Sequence, residues 1–315
     1  MVQKDSLIMY DSIIILGATA TGKTKISIEL AKALNTEIIN ADSMYIYREL
    51  SIGTAKPTIE EMNGVKHHII DVAEPYEDFN VIDYRNIAKN TLQGFKERNL
   101  LPIVVGGTGF YIDSLTKNYT YGNANHSDEI RSQLNNDLER YGKEYLYNKL
   151  LEVAPESAKK LHQNDSVRVI RALEICMLSG NNNVYNDNNE EILLKKPLFI
   201  GLTIDREELY ERINRRVDIM VKDGLIDEVK SLYDRGFTPE KHQSMKGIGY
   251  KEILDYLLNN CSLEESLEKL KQHTRNYAKR QITWFKRNKE IHWFNPLEDK
   301  DIVNKIINLF KEKDC

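Results

Sequence analysis

The chain has 315 residues, 41% hydrophobic and 29% charged, with a formal net charge of -4. That supplies a sizeable core and two structural units. No apolar run approaches the roughly 18 residues of a membrane span, so no membrane association is expected. In chain order, Ser12 to Leu16 reads as a buried strand and Lys23 to Leu34 as a helix. Glu37 to Asn40 and His67 to Val72 are short strands. Val81 to Arg98 is a helix with apolar positions at Ile82, Ile87, Leu92 and Phe95, and Leu101 to Val105 is a strand. This alternation predicts a parallel sheet with helices on both faces.

From Thr120 to Lys196 the strand rhythm stops and the chain turns helical and highly charged, as expected for an inserted domain. It closes in a stretch, Ser179 to Glu191, with six Asn in thirteen residues, read as a mobile loop. Pro197 to Ile204 returns as a strand of the main sheet. Helices are predicted over Arg206–Lys222, Ile226–Arg235, Tyr250–Asn259 and Leu263–Lys289, then a strand at His292–Phe294 and a helix at Lys300–Lys311. The expected architecture is α/β: residues 1–119 and 197–315 form a P-loop-like core, and 120–196 a helical insertion. Met1 to Leu7 lacks the shape of a signal peptide. Cys176, Cys261 and Cys315 are too far apart for a metal or disulfide pattern, which suits a reducing cytoplasm.

The strongest chemical signal is Gly17-Ala18-Thr19-Ala20-Thr21-Gly22-Lys23-Thr24, a full match to the P-loop pattern in the strand–loop–helix context it requires. Backbone N–H groups there can cradle the phosphates of a nucleotide or other polyphosphate. Lys23 adds a point charge, and the Thr24 hydroxyl can hold Mg²⁺. Asp42 and Ser43 follow the second strand, at the carboxyl edge of the sheet where ligands bind. A carboxylate there can accept a proton, help to hold Mg²⁺, or merely cap a turn.

Gly106-Gly107-Thr108-Gly109 ends a strand where a Walker-B Asp often stands. The glycines either admit a ligand or form a tight turn, and Asp71 could supply the missing acid instead. Arg212 and Arg216, four apart, share a helix face and form either a phosphate clamp or a solvated face; Arg215 is their neighbour. Lys269 to Lys289 carries eight basic residues and no acid, interleaved with Tyr277, Trp284 and Phe285. That suits an RNA backbone, or a helix with its aromatics in the core and its cations in water. His67 and His68 have no third partner at metal spacing and read as structural.

At this point the chain resembles the bacterial tRNA dimethylallyltransferases. The family's blocks occur in order: the P-loop; Ala41-Asp42-Ser43 with Tyr47; Ile52-Gly53-Thr54-Ala55-Lys56-Pro57; His67 to Asp71; Phe79 to Arg85; Gly106 to Tyr111; Asn164 to Glu174; Gly247 to Glu252; and Ala278 to Phe285. They span nearly the whole chain. Tyr45 and Lys246 depart from it, standing where many relatives carry Gln.

The resemblance implies transfer of a dimethylallyl group from dimethylallyl diphosphate to N6 of adenosine 37, beside the anticodon of a tRNA, by a cytoplasmic monomer using Mg²⁺ at Thr24. It implies Asp42, Thr108 and Arg216 as catalytic groups, and residues 17–24 with Arg212 as the diphosphate site. It implies tRNA contacts at Asp42, Ser43, Met44, Tyr45, Thr108, Arg131, Ser166, Val167, Arg168, Val169, Ile170, Lys246, Arg275, Lys279 and Arg280. The insertion and the basic stripe would grip the anticodon stem-loop. The rival readings are a P-loop small-molecule kinase, an adenylate isopentenyltransferase and a non-enzymatic RNA-binding protein.

Overall fold

A computed structural model describes residues 10–118, 127–180 and 191–311. The asparagine-rich stretch at 181–190, the start of the insertion at 120–126, the Met1–Leu7 segment and Cys315 lie outside the described residues. The chain divides into two compact units, one of Met1–Lys117 with Ile192–Cys315, the other of Asn118–Glu191.

The first unit opens with β1 (Ser12–Gly17), α1 (Lys23–Ala33), β2 (Ile38–Asn40), a single turn α2 (Ile59–Met62), β3 (His67–His68), α3 (Val81–Glu97), β4 (Ile103–Gly106) and α4 (Gly109–Thr116). In the second unit, α5 (Asp128–Val153), a short α6 (Pro155–Ala158) and α7 (Ser166–Ser179) follow. The chain then completes the first unit with β5 (Pro197–Leu202), α8 (Arg206–Lys222), α9 (Leu225–Asp234), α10 (Tyr250–Leu257), α11 (Leu263–Phe285), β6 (His292–Phe294) and α12 (Ile302–Lys311).

All six strands pair in parallel, in the order β3-β2-β4-β1-β5-β6. The sheet is covered on both faces, so its central strands are apolar throughout rather than alternating. Ile14, Leu16, Ile39 and Val104 point into a core completed by α3, α4 and α8–α11. Their neighbours Ile13, Ile15, Ile38 and Ile103 pack with α1 and α12 on the other face.

The predicted strand at His67–Val72 shortens to two residues. Ile69 and Asp71 take left-handed backbone conformations (φ 62° and 54°), which end the extended run, and the Asn40 side chain captures the Ile69 carbonyl at 2.9 Å. His68 binds Glu37 at 2.6 Å and stands edge-on to Phe95, consistent with a structural role for the pair. The long basic helix stops at Phe285, four residues short of the predicted Lys289.

The second unit is a helical assembly around Leu134, Leu146, Leu150, Val169 and Leu173. α5 breaks at Gly142, whose φ of 82° only glycine adopts freely. Its one fully buried carboxylate among the described residues, Glu174, accepts from Arg131, Arg171 and the Ser127 amide.

Candidate active site

The loop after β1 is built to present N–H groups. Ala20 and Gly22 both have positive φ (63° and 92°), so successive amides turn toward one side before α1 begins at Lys23. Thr21 is buried and donates to the Ala18 carbonyl at 2.8 Å, closing the loop on itself. Thr19, Ala20, Gly22, Lys23 and Thr24 line a cavity of about 870 Å³, whereas Gly17, Ala18 and Thr21 lie behind them. Lys23 Nζ rests on the Gly17 and Ala18 carbonyls at 3.0 and 2.7 Å. Burial lowers its pKa to about 8; the charge of Asp42 opposes that shift, and Arg216 adds to it.

Asp42, Ser43, Met44 and Tyr45 form another wall of the same cavity. The Asn40 side chain fixes this corner: its Oδ1 accepts from the Asp42 amide at 2.9 Å, and its Nδ2 donates to the Asp42 carbonyl at 3.0 Å. Asp42 Oδ1 in turn accepts from the Met44 amide at 3.0 Å. Burial raises the Asp42 carboxyl above its ordinary value; the Met44 amide and the charges of Lys23 and Arg216 hold it back. It is therefore a better proton acceptor than a surface aspartate. The Tyr45 hydroxyl, pushed up to about 12 chiefly by burial, donates to the Ala55 carbonyl at 2.9 Å. Arg216 donates to that same carbonyl at 3.1 Å and reaches the Thr19 hydroxyl at 3.5 Å. Thus Tyr45 shares an acceptor with the arginine.

Arg212 and Arg216 both line the cavity, as the shared-face reading requires, while Arg215 is exposed outside it. Arg212 is held by Glu208 at 2.8 Å. Asp71 does not supply a missing acid: it pairs with the buried Lys56 at 2.6 Å and is absent from the lining. Thr108 also lies off the lining. Its hydroxyl accepts from the Ser43 amide at 3.0 Å and donates to the Ser43 hydroxyl at 3.2 Å, with Tyr277 as a further partner.

The glycines around Thr108 are required by protein packing, and Gly106 also lines the cavity. A β-carbon at Gly106 would stand 2.1 Å from the Ala41 carbonyl oxygen, at Gly107 2.1 Å from Gln281 Nε2, and at Gly109 2.3 Å from the Trp284 ring. The turn is pressed between the end of β2 and the face of α11.

The basic stripe divides. Phe285 is in the core, and the Trp284 indole donates to Asp113 at 3.2 Å. Lys271 pairs with Asp218 at 3.0 Å, and Arg275 donates to Asn214 at 2.7 Å and lies by the Tyr210 ring. Tyr277 and Arg280 line the cavity, with Arg280 over the Tyr277 ring at 5.7 Å. Lys279, Lys286, Arg287 and Lys289 are exposed. Lys246 is exposed and also lines the cavity.

In the second unit Val169 and Ile170 are buried in its core, so their side chains are closed to any partner. Val167, 80% exposed, and Arg168 face solvent at the start of α7; the Ser166 hydroxyl is buried without a hydrogen-bond partner among the described residues. Arg131 is turned onto Glu174.

Sequence reasoning gave Gln281 no role. Only 5% exposed, it joins the phosphate loop to the turn after β4: its Oε1 accepts from the Thr19 amide and its Nε2 donates to the Gly107 carbonyl, both at 2.9 Å. The signal was there. Leu270, Ala278, Gln281 and Phe285 recur at helical spacing on the buried face of α11, and a polar residue on such a face requires a buried partner.

Among the described residues no three His, Cys, Asp or Glu side chains converge as metal ligands. The donor set at the phosphate loop is the Thr24 hydroxyl on the cavity lining. A sparse set of this kind suits Mg²⁺, which keeps waters and takes substrate phosphate oxygens in preference to an all-protein cage.

The family model described as IPP transferase matches residues 45–288. A tRNA dimethylallyltransferase of Alkaliphilus metalliredigens is 48% identical over 300 residues, 95% of this chain and 96% of that one. One from Halalkalibacterium halodurans is 45% identical, covering 94% of both chains. Among solved structures, the full-length tRNA isopentenylpyrophosphate transferase of Bacillus halodurans has a TM-score of 0.69 at 44% identity, covering 95% of this chain and 94% of that one. A eukaryotic dimethylallyltransferase acting on tRNA has a TM-score of 0.79 at 31% identity, covering 95% and 77%. Those solved structures carry the same parallel-sheet architecture, and by sequence and by fold this chain belongs to the IPP transferase family.

Proposed function

We propose that this chain transfers the dimethylallyl group of dimethylallyl diphosphate to N6 of adenosine 37 in a tRNA anticodon loop. One observation carries the chemistry: a phosphate-binding loop, an arginine and a half-buried carboxylate face one cavity. The loop amides, Lys23, Arg216 and Arg212 are placed to receive a diphosphate and the charge that grows on it as it leaves. Met44, Val217, Met220, Ile248 and Leu270 give the same cavity an apolar lining suited to a five-carbon tail.

In the transfer, the N6 amine of the adenine attacks the allylic carbon. The carbon–oxygen bond to the diphosphate breaks, and its electron pair leaves with the diphosphate. Asp42 takes the proton released from the amine, a role worth roughly 10²–10⁴-fold. The raised pKa of its carboxyl favours that step. Thr108 acts one layer back, holding Ser43 and so the backbone that aims Asp42. Where Mg²⁺ is bound, Thr24 would hold it and the ion would neutralise charge on the diphosphate. The adenine must leave its stack to reach the cavity, as unpaired loop bases can. The exposed cations Lys279, Lys286 and Arg287 on and after α11, and Val167 with Arg168 on the second unit, are candidate contacts for the RNA.

Incubation with radiolabelled dimethylallyl diphosphate and unmodified tRNA should place label in tRNA. Label in AMP but not in tRNA would replace this reading with adenylate prenylation. Phosphate transfer from ATP without prenylation of tRNA would replace it with a kinase.

A further inference from the structure

We propose that Gln281 is a positioning residue for this reaction. Its buried amide ties the phosphate loop to the turn after β4 and thereby fixes where the diphosphate lies relative to Asp42. The inference rests on the prenyl-transfer reading.

The two bonds of the amide reach across the chain, to positions 262 and 174 residues away. One is to the Thr19 amide, inside the loop. The other is to the carbonyl of Gly107, the residue before Thr108, and the Thr108 hydroxyl holds the Ser43 amide beside Asp42. A single side chain thus stands between the group that receives the leaving diphosphate and the group that receives the proton. The slot is tight: a β-carbon on Gly107 would stand 2.1 Å from Gln281 Nε2. The side chain is anchored from below, because Ala278 and Phe285 on the same helix are buried in the core.

The loop needs such a brace. Ala20 is a non-glycine residue at φ 63°, a conformation that persists only where surrounding contacts over-determine it. Gln281 also takes the Thr19 N–H out of the set of donors open to a ligand. Only a side chain with both an acceptor and a donor satisfies the two backbone groups at once. Methionine fills the volume and makes neither bond. Glutamate can keep the acceptor for Thr19 but loses the donor, and adds a negative charge beside the diphosphate.

The test uses the full chain with Gln281→Met and Gln281→Glu. It reads inorganic pyrophosphate affinity by calorimetry, kcat, the separate KM values for dimethylallyl diphosphate and tRNA, and Tm. Gln281→Met should weaken pyrophosphate binding and lower kcat, each about tenfold, as loss of a loop-orienting hydrogen bond predicts. The KM for tRNA should stay within about twofold. Gln281→Glu should weaken pyrophosphate binding further, because it brings a like charge to the loop.

A lower Tm for Gln281→Met with unchanged pyrophosphate affinity and kcat per folded molecule would make Gln281 merely structural and overturn the proposal. If Gln281→Met does not fold, an unaltered pyrophosphate affinity in Gln281→Glu would overturn it equally. If the unaltered chain prenylates no tRNA, the functional reading fails, while the pyrophosphate comparison still decides whether Gln281 sets the loop.

Discussion

Raising the pH from about 7 to about 9 should weaken binding of an allylic diphosphate about tenfold, through one side chain. Burial among loop carbonyls lowers the Lys23 pKa to about 8, with Arg216 adding to the shift and Asp42 opposing it. In the ligand-free chain the amine is then about nine-tenths protonated at pH 7 and about one-tenth at pH 9. A bound diphosphate stabilises the ammonium, so the complex keeps its proton across the whole range. Binding at alkaline pH therefore takes up a proton, and apparent affinity falls as pH rises, approaching tenfold per unit above about 8. The terminal phosphate of the ligand, with a last pKa near about 6, adds little in this window.

A lysine at its ordinary value of 10.5 would instead lose only a few per cent of affinity by about pH 9. The assay is calorimetry with a non-reacting thio analogue of dimethylallyl diphosphate, in two buffers of different ionisation enthalpy so that proton uptake is counted directly. Lys23→Arg keeps its charge and should bind with a flat pH profile. An unaltered chain whose affinity is flat over the same range, with no proton uptake, would refute the argument.

Asp42→Asn should lower the single-turnover rate roughly 10²–10⁴-fold and leave tRNA affinity, measured by filter binding, within about twofold; equal loss of both would make Asp42 structural. Gly106→Ala should yield little folded protein, because the clash is with the Ala41 backbone and no flexible side chain can move away. Gly94→Ala, in open space on α3, should stabilise the chain by about 0.5–1 kcal/mol in urea unfolding. Glu37 is held down at about 2, first by Arg98 and also by His68. Its contribution to stability is thus present above its ordinary pKa of about 4.5 and lost as pH falls toward 2. Glu37→Gln should flatten the fall of Tm across that window, and an unchanged acid profile would contradict the assignment.

Local signals were legible in the sequence and long-range ones were not. β1, the phosphate loop and α1 were readable because strand period, glycine spacing and helix period all lie within 25 residues. Arg212 and Arg216 were readable as a pair because a helix dictates that they share a face. β3 was overextended: Ile69 and Ile70 look like strand, but Asn40, about 30 residues earlier, fixes the backbone there in another conformation. The glycines of residues 106–109 left ligand approach and a tight turn open as alternatives, because what packs on Gly107 and Gly109, Gln281 and Trp284, lies more than 170 residues downstream. Val169 and Ile170 belong to a family motif, yet helical period alone puts both on the buried face of α7. Motif membership says that a segment matters, and burial says which of its side chains can touch a partner.

β1 is flanked by β4 and β5, which pair with it from opposite sides. During synthesis its first neighbour arrives about 90 residues later and its second about 90 residues after that, with the whole second unit made in between. α11, which carries Gln281, comes later still. A nascent chain that has emerged only as far as α10 has the β1–β4–β2 pairing that brings the P-loop near Asp42, but not the Gln281 bonds that join the loop to the turn after β4. Ribosomal pausing or premature termination before Leu263 therefore leaves β5 without its β6 neighbour, an open sheet edge exposed to aggregation and proteolysis.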